Sequence, residues 1–304
     1  MVNYTTISIY KLVKLKNLEN IQKSLINFME INKIYGTLIL AKEGINGSFS
    51  GLDINIKKFL EYLNFKENLS NIPYKISYSE KCPFNLIKVK LKKEIVTLKV
   101  DNLDFSDLKK TYVSPKNWNK MILDPNVLVL DIRNDYESQV GTFQNAIPTE
   151  IKKFSDFPKY VNKNLSYEKN IKIATFCTGG VRCEKATAFL QKKGFKKLYQ
   201  LKGGIFQYFK EVSEQKSLWK GECFVFDSRI TVDHSLKRGK YQQCYACRSP
   251  LTEKDKQNKY YKKGISCHNC YEKVTEKQRK KFIEREKQKI LSKMKNKINV
   301  NMKI

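Results

Sequence analysis

Residues 171–195 read IKIATFCTGGVRCEKATAFLQKKGF. An apolar, β-branched run ends at Cys177, four residues (Thr178, Gly179, Gly180 and Val181) follow, and then come Arg182 and Cys183. Glycines let successive backbone N–H groups turn inward as a concave anion nest. The helix expected immediately behind them contributes the positive end of its dipole, and Arg182 adds a full cation. All three favour thiolate over thiol, so the pKa of Cys177 is expected to fall. A thiolate held this way is a nucleophile or a sulfur carrier. Cys183 begins the helix and points either into the core or into the site, where it would resolve an oxidised Cys177 as a disulfide. Glu184 and Lys185 read as helix-start charge placement on a solvated face.

A second cysteine set has metal-ligand spacing. Cys244, Cys247, Cys267 and Cys270 form two Cys-x-x-Cys knuckles separated by 19 residues, within the zinc-ribbon range. Four thiolates would complete a closed tetrahedron, which is a structural site with no position left for substrate. His268 lies inside a knuckle and reads as a bystander. Cys82 and Cys223 are isolated and read as small core residues.

Five segments position these residues. Residues 1–95 follow the order βαββαβ of a ferredoxin-like α+β unit. Its strands are YTTISIY, YGTLILA, GINGSFSG and YKISYSE, its helices lie over 18–31 and 54–63, and NLIKVKLKK extends the pattern. Residues 96–122 show little periodicity and read as a connector. Residues 123–217 alternate strand and helix, which predicts a parallel α/β sheet with its site at the carboxyl ends of the strands. Cys177 falls at such an end. Residues 218–275 form a cysteine-rich segment, and 276–304 a basic tail that is either a frayed helix or disordered, with Ile283, Ile290 and Met294 at loose helical spacing.

The chain has 304 residues, eight cysteines and a formal net charge of +29. That balance favours a polyanionic partner, with a nucleic acid as the usual candidate. The competing explanation is a Lys-, Asn- and Ile-rich composition from an AT-biased genome. No run approaches the roughly 18 apolar residues of a membrane span. The N-terminus alternates like a strand and carries no export signal, so a cytoplasmic location with reduced cysteines is expected. No Gly-rich dinucleotide fingerprint is present, and no flavin, nicotinamide or haem site is expected.

The strand–Cys–loop–helix segment resembles the active-site loop of rhodanese domains. LVLDIRNDYE (128–137) is similar to that family's first strand and Asp-x-Arg turn, GTFQNAI (141–147) to its Gly-His segment with Thr142 in place of His, and GFKKLYQLKGGIFQYF (194–209) to its late strand and Gly-Gly helix start. Four residues between Cys177 and Arg182 resemble the sulfur-handling form, not the longer loop of related phosphatases. Together with AKEGINGSFSG (41–51), ECFVFDSRITVDH (222–234) and the cysteine pairs, the chain resembles the rhodanese-domain tRNA uridine hydroxylases over nearly its whole length.

That resemblance implies oxygen-dependent conversion of the wobble uridine of tRNA to 5-hydroxyuridine, with molecular oxygen as co-substrate. Cys177 would correspond to the persulfide-bearing cysteine, and Asp131 and Arg133 to the turn that supports the loop. Candidate tRNA contacts are Lys42, Asn46 and Gly47 of KEGING (equally readable as a plain hairpin turn), Arg182, and the basic region after Arg238. His234 reads as structural ahead of acid or base. The rivals are a sulfurtransferase carrying a Cys177 persulfide and a non-enzymatic RNA-binding adaptor. The sequence does not bear on oligomeric state.

Overall fold

A computed structural model of the chain describes residues 4–66, 68–165 and 169–301, with side chains up to residue 291. The chain divides into two units, one ending at Gly239 and the other starting at Lys240.

The first unit opens with β1 (Tyr4–Leu12), α1 (Leu18–Ile31), β2 (Tyr35–Ala41), β3 (Gly44–Leu52), α2 (Asp53–Asn64), β4 (Tyr74–Ser79) and β5 (Ile87–Leu91). The sheet order is β4-β1-β3-β2-β5, which is the expected ferredoxin-like arrangement with β5 added parallel to β2. One face of this sheet carries the helices. Ile7, Leu38, Ile45 and Phe49 meet Leu25, Met29, Ile56 and Phe59 in a closed core, as the strand period of two and the helical spacing require.

The same unit continues with β6 (Tyr112–Val113), α3 (Pro115–Leu123), β7 (Val127–Asp131), α4 (Asp135–Ser138), β8 (Gly141–Phe143), β9 (Ile147–Pro148), α5 (Phe157–Asn164), β10 (Lys172–Phe176), α6 (Val181–Lys192), β11 (Lys197–Leu201), α7 (Gly204–Glu211), β12 (Trp219–Gly221), β13 (Cys223–Phe224) and β14 (Thr231–Val232). Strands β6-β11-β10-β7-β9 form a parallel sheet. Both faces are buried: Val129, Ala174 and Phe176 belong to one core, and Leu130 and Ile173 to the other. Burial on both faces is why these strands read as uninterrupted apolar runs.

Two expected boundaries shift. The connector over 96–122 contains β6, an edge strand of the parallel sheet, and α3, which starts behind Ser114 with Pro115 in its first turn. Trp118 of α3 is fully buried, edge-on to Phe143 and Phe176. A nine-residue helix offers too few repeats for its period to stand out. Residues 218–239, grouped by sequence with the cysteine-rich segment, pack on the parallel-sheet domain instead: β12 pairs with β8, and Cys223 and Val232 enter the core of Phe143 and Phe176.

The second unit holds β15 (Gln242–Gln243), β16 (Pro250–Leu251), α8 (Glu253–Lys256) and α9 (Glu276–Asn301). The basic tail is therefore a helix through Asn301; its last three residues and the side chain of Met294 lie outside the described residues. Ile283, Ile290 and Leu291 of α9 are exposed.

Candidate active site

Cys177 follows the last residue of β10, and α6 begins at Val181. The turn between them depends on close backbone approach. Ile205 and Phe206, at the start of α7, donate N–H bonds to the carbonyls of Cys177 (3.0 Å) and Thr178 (3.2 Å). A Cβ on Gly204 would lie 2.5 Å from the Cys177 carbonyl oxygen, so only glycine fits there. Gly180 turns the chain at φ 103° and donates its N–H to Cys177 Sγ at 3.1 Å.

The electrostatics follow from this geometry. Burial pushes the Cys177 thiol up, but a hydrogen bond from the Cys183 thiol, the Arg182 guanidinium, and the amides of Cys183 and Gly180 outweigh it and bring it down to about 5. Burial and the neighbouring Cys177 sulfur hold Cys183 well above the ordinary thiol range. Cys183 therefore faces the site as a donor. Sulfur acceptance from Gly180 and Cys183 realises part of the expected nest; Thr178 contributes its hydroxyl, 3.4 Å from Arg182 Nη2. The Cys223 thiol is pushed up to about 12, chiefly by burial, in keeping with a core role. His234 packs on the Phe209 ring at 4.6 Å with Nε2 buried and, among the described residues, without a hydrogen-bond partner.

A difference absorbance titration, wild type minus Cys177→Ser, checks the thiolate. The ionised sulfur should persist as pH falls and be lost on passing about 5. Because the folded value lies below the unfolded one, the stability it contributes is complete above the ordinary thiol range and disappears through the same window. Half-titration near the ordinary value, about 8.5, would refute the nest.

Three expectations, for Arg182, Glu184 and Lys185, need correction. Cys177 itself stands at the carboxyl end of its strand but is 0% exposed, and Lys75 and Tyr10 of the N-terminal sheet lie over Gly179 and Gly180 of the turn. Lys75 Nζ donates to Gly179 O at 2.5 Å. Arg182 is not a free cation for RNA: Nη1 and Nη2 are clamped by Glu137 Oε1 and Oε2 at 2.6 and 2.8 Å. Glu184 is buried and accepts from Tyr10 Oη (3.0 Å) and Tyr112 Oη (2.5 Å), and burial raises its pKa. Lys185 is 1% exposed and bonds Glu43 (2.8 Å), Glu94 (2.6 Å) and the Val96 carbonyl (2.8 Å). The N-terminal domain covers this face of α6, so neither charge is solvated.

Sequence reading missed Glu137 as a functional partner, although it lies in the quoted LVLDIRNDYE. It bonds the Asn134 N–H at the start of α4 (3.2 Å) and holds Arg182. Asp131 and Arg133 form a buried pair, and Thr142 Oγ1 donates to Asp131 Oδ2 at 2.8 Å.

A cleft of about 690 Å³ adjoins the turn. Lys11, Lys75, Lys109 and Lys202 supply cations, Tyr10, Tyr74, Phe105 and Tyr112 supply rings, and Glu184 and Gly203 also line it. The candidate RNA residues Lys42, Asn46, Gly47 and Arg238 are not in its lining. Lys42 and Arg238 are exposed. Asn46 Nδ2 donates to the Ile95 carbonyl at 3.1 Å and ties β3 to the segment beyond β5, and a Cβ on Gly47 would meet the Thr37 carbonyl at 2.2 Å, so Gly47 lets β2 and β3 approach.

In the second unit the sulfurs of Cys244, Cys247, Cys267 and Cys270 all lie within 4.8 Å of one another, with pairs at 3.7, 3.8 and 3.9 Å. A tetrahedron with zinc–sulfur bonds of about 2.3 Å has edges of about 3.8 Å. The four cysteines can bind a metal such as zinc. His268 instead faces Asp255 at 3.9 Å.

A parallel sheet with a cysteine turn clamped between two helix starts defines a rhodanese-type domain, and residues 114–211 match the family model described as a rhodanese-like domain. Residues 4–95 match the model described as a UPF0176 acylphosphatase like domain. The chain thus joins a UPF0176 N-terminal domain to a rhodanese-like domain, consistent with the UPF0176 rhodanese family. Among solved structures, the rhodanese-like domain of the Anabaena sp. protein Alr3790 is similar at 18% identity over 36% of this chain and 79% of its own, with TM-score 0.31. A rhodanese-related protein from Thermoplasma volcanium is similar at 24% identity over 33% and 92%, with TM-score 0.27. BlrB, a BLUF protein, is similar at 13% identity over 31% and 77%, with TM-score 0.28. Among the described residues, no helix is long and apolar enough to cross a membrane.

Proposed function

We propose that the protein hydroxylates C5 of the wobble uridine of tRNA, with Cys177 as the nucleophile. The supporting observation is the thiolate-favouring cysteine turn, covered at Gly179 and Gly180 by Lys75 and Tyr10, which themselves line a cleft furnished with further lysines and aromatic rings. Lysines suit phosphates, and rings suit a base splayed from a single-stranded anticodon loop. Cys177 Sγ adds to C6, and the electron pair of the C5–C6 double bond makes C5 enolate-like and able to attack the oxidant. Loss of the C5 proton and departure of the thiolate restore the ring. Overall, one atom of molecular oxygen ends on C5 and the other leaves as water, with two electrons supplied by a thiol reductant. The Gly180 and Cys183 amides and the Cys183 thiol receive the sulfur's charge when it departs.

The second reading is a sulfurtransferase that carries sulfur on Cys177, favoured by the four-residue turn between Cys177 and Arg182. The organised thiolate argues against a non-enzymatic adaptor. Mass spectrometry of tRNA from a deletion strain separates the two enzymes. Lost oxygen at the wobble uridine supports hydroxylation; lost sulfur with oxygen intact overturns it.

In this reading Cys244, Cys247, Cys267 and Cys270 hold one structural zinc, which supplies a cross-link to a small unit with a core of few residues. Elemental analysis should find one zinc per chain, lost in Cys244→Ala along with the thermal stability of that unit. A metal-free chain of equal stability would remove the site.

A further inference from the structure

We propose that Lys75 and Glu184 together read the O4/N3–H edge of the uracil that enters the cleft. The inference rests on the hydroxylation reading and names its base-specifying pair.

The cations around the cysteine turn are mostly committed. Arg182 is spent on Glu137, Arg133 on Asp131, and Lys185 on Glu43 and Glu94. Lys75, projecting from β4, has no carboxylate partner among the described residues. Its ammonium donates to the Gly179 carbonyl and lies 5.5 Å above the Tyr10 ring. Burial pushes it down to about 8 even though Cys177, Cys183 and Glu184 oppose that shift.

Glu184, on α6, lines the same cleft. Both tyrosine hydroxyls converge on its Oε1, and Oε2 accepts no hydrogen bond among the described residues. Lys75 and Glu184 feel each other's charge without forming an ion pair. A donor and an acceptor with spare capacity therefore line the same cleft.

Uracil presents the matching pattern, with the O4 acceptor beside the N3–H donor. Cytosine reverses it, with an N4–H₂ donor beside the N3 acceptor. A base in the wrong pattern would leave a desolvated ammonium and a desolvated carboxylate each facing its own kind, which is how polar sites reject analogues. The same contact serves the chemistry. When the S–C6 bond forms, the C5–C6 π pair shifts toward O4, and Lys75 meets the charge where it develops.

The test uses the full chain with synthetic anticodon stem-loops carrying uridine, 3-methyluridine or cytidine at the wobble position. Product is read by mass spectrometry and affinity by fluorescence anisotropy. Wild type should favour uridine over 3-methyluridine by about 10- to 100-fold. E184Q should bring that ratio close to one and admit cytidine. K75M should lower turnover on uridine by about 100-fold, with K75R retaining most of it. Equal handling of uridine and 3-methyluridine by wild type, or an undiminished preference in E184Q, overturns the proposal. The wild-type 3-methyluridine comparison needs no variant, so a poorly folding substitution does not remove the test. If wild type forms no 5-hydroxyuridine, the hydroxylation reading fails, and the affinities still decide the pair: a uridine preference erased by E184Q upholds it, and equal binding overturns it.

Discussion

If the protein hydroxylates the wobble uridine as proposed, Cys177→Ser chains should form no measurable 5-hydroxyuridine on a tRNA that the wild type converts. The turn lowers a thiol to about 5, but a serine hydroxyl starts so far above neutrality that the same amides and guanidinium leave it protonated. The nucleophile is then lost while the cleft is unchanged. Losses between roughly 10⁴ and 10⁶ in turnover accompany removal of a nucleophile from a preorganised site. Because tRNA contacts are assigned to the lysines and rings of the cleft, affinity should stay near wild type while product vanishes. A fully active Cys177→Ser protein would dispose of the covalent route.

Glu137→Gln should destabilise the rhodanese-like domain by about 3–5 kcal/mol. Glu137 is 0% exposed, and its two oxygens neutralise a guanidinium that is itself 8% exposed. Glutamine keeps the shape but removes the charge, leaving Arg182 buried with one acceptor where it had two. Both tryptophans of the chain, Trp118 and Trp219, lie in this domain's core. Their fluorescence during urea unfolding reports the domain directly. A change below about 1 kcal/mol would mean the pair behaves like a surface ion pair.

The parts of the site legible in the sequence were those whose partners are neighbours in the chain. Cys177, Gly180 and Cys183 act on one another within a single turn, and the four metal-spaced cysteines come as two local pairs. Residue type and local order point to the first set, and spacing to the second. Glu184 and Lys185 were misread as solvated because what buries them is distant: Tyr10 is 174 residues from Glu184, and Glu43 is 142 from Lys185. No local pattern marks a helix face as covered by another domain. Arg182 reads as a free cation for the same reason, its partner lying 45 residues upstream. Strands with both faces buried are plain, whereas α3 merges with the connector because its buried residues, Pro115, Trp118 and Ile122, span only two turns.

The Lys185 ammonium has a consequence for how such a chain is inherited. Glu43, at the β2–β3 hairpin, and Glu94, beyond β5, both reach across to the helix that carries the sulfur turn, and Glu43 also accepts the Ile95 N–H at 2.7 Å. A rhodanese-like module excised at residue 114 would leave that lysine stranded on a face shaped to be covered, beside a glutamate deprived of both tyrosines. The two domains are thus expected to melt as one cooperative block, and shuffling one without the other would expose the helix that both cover.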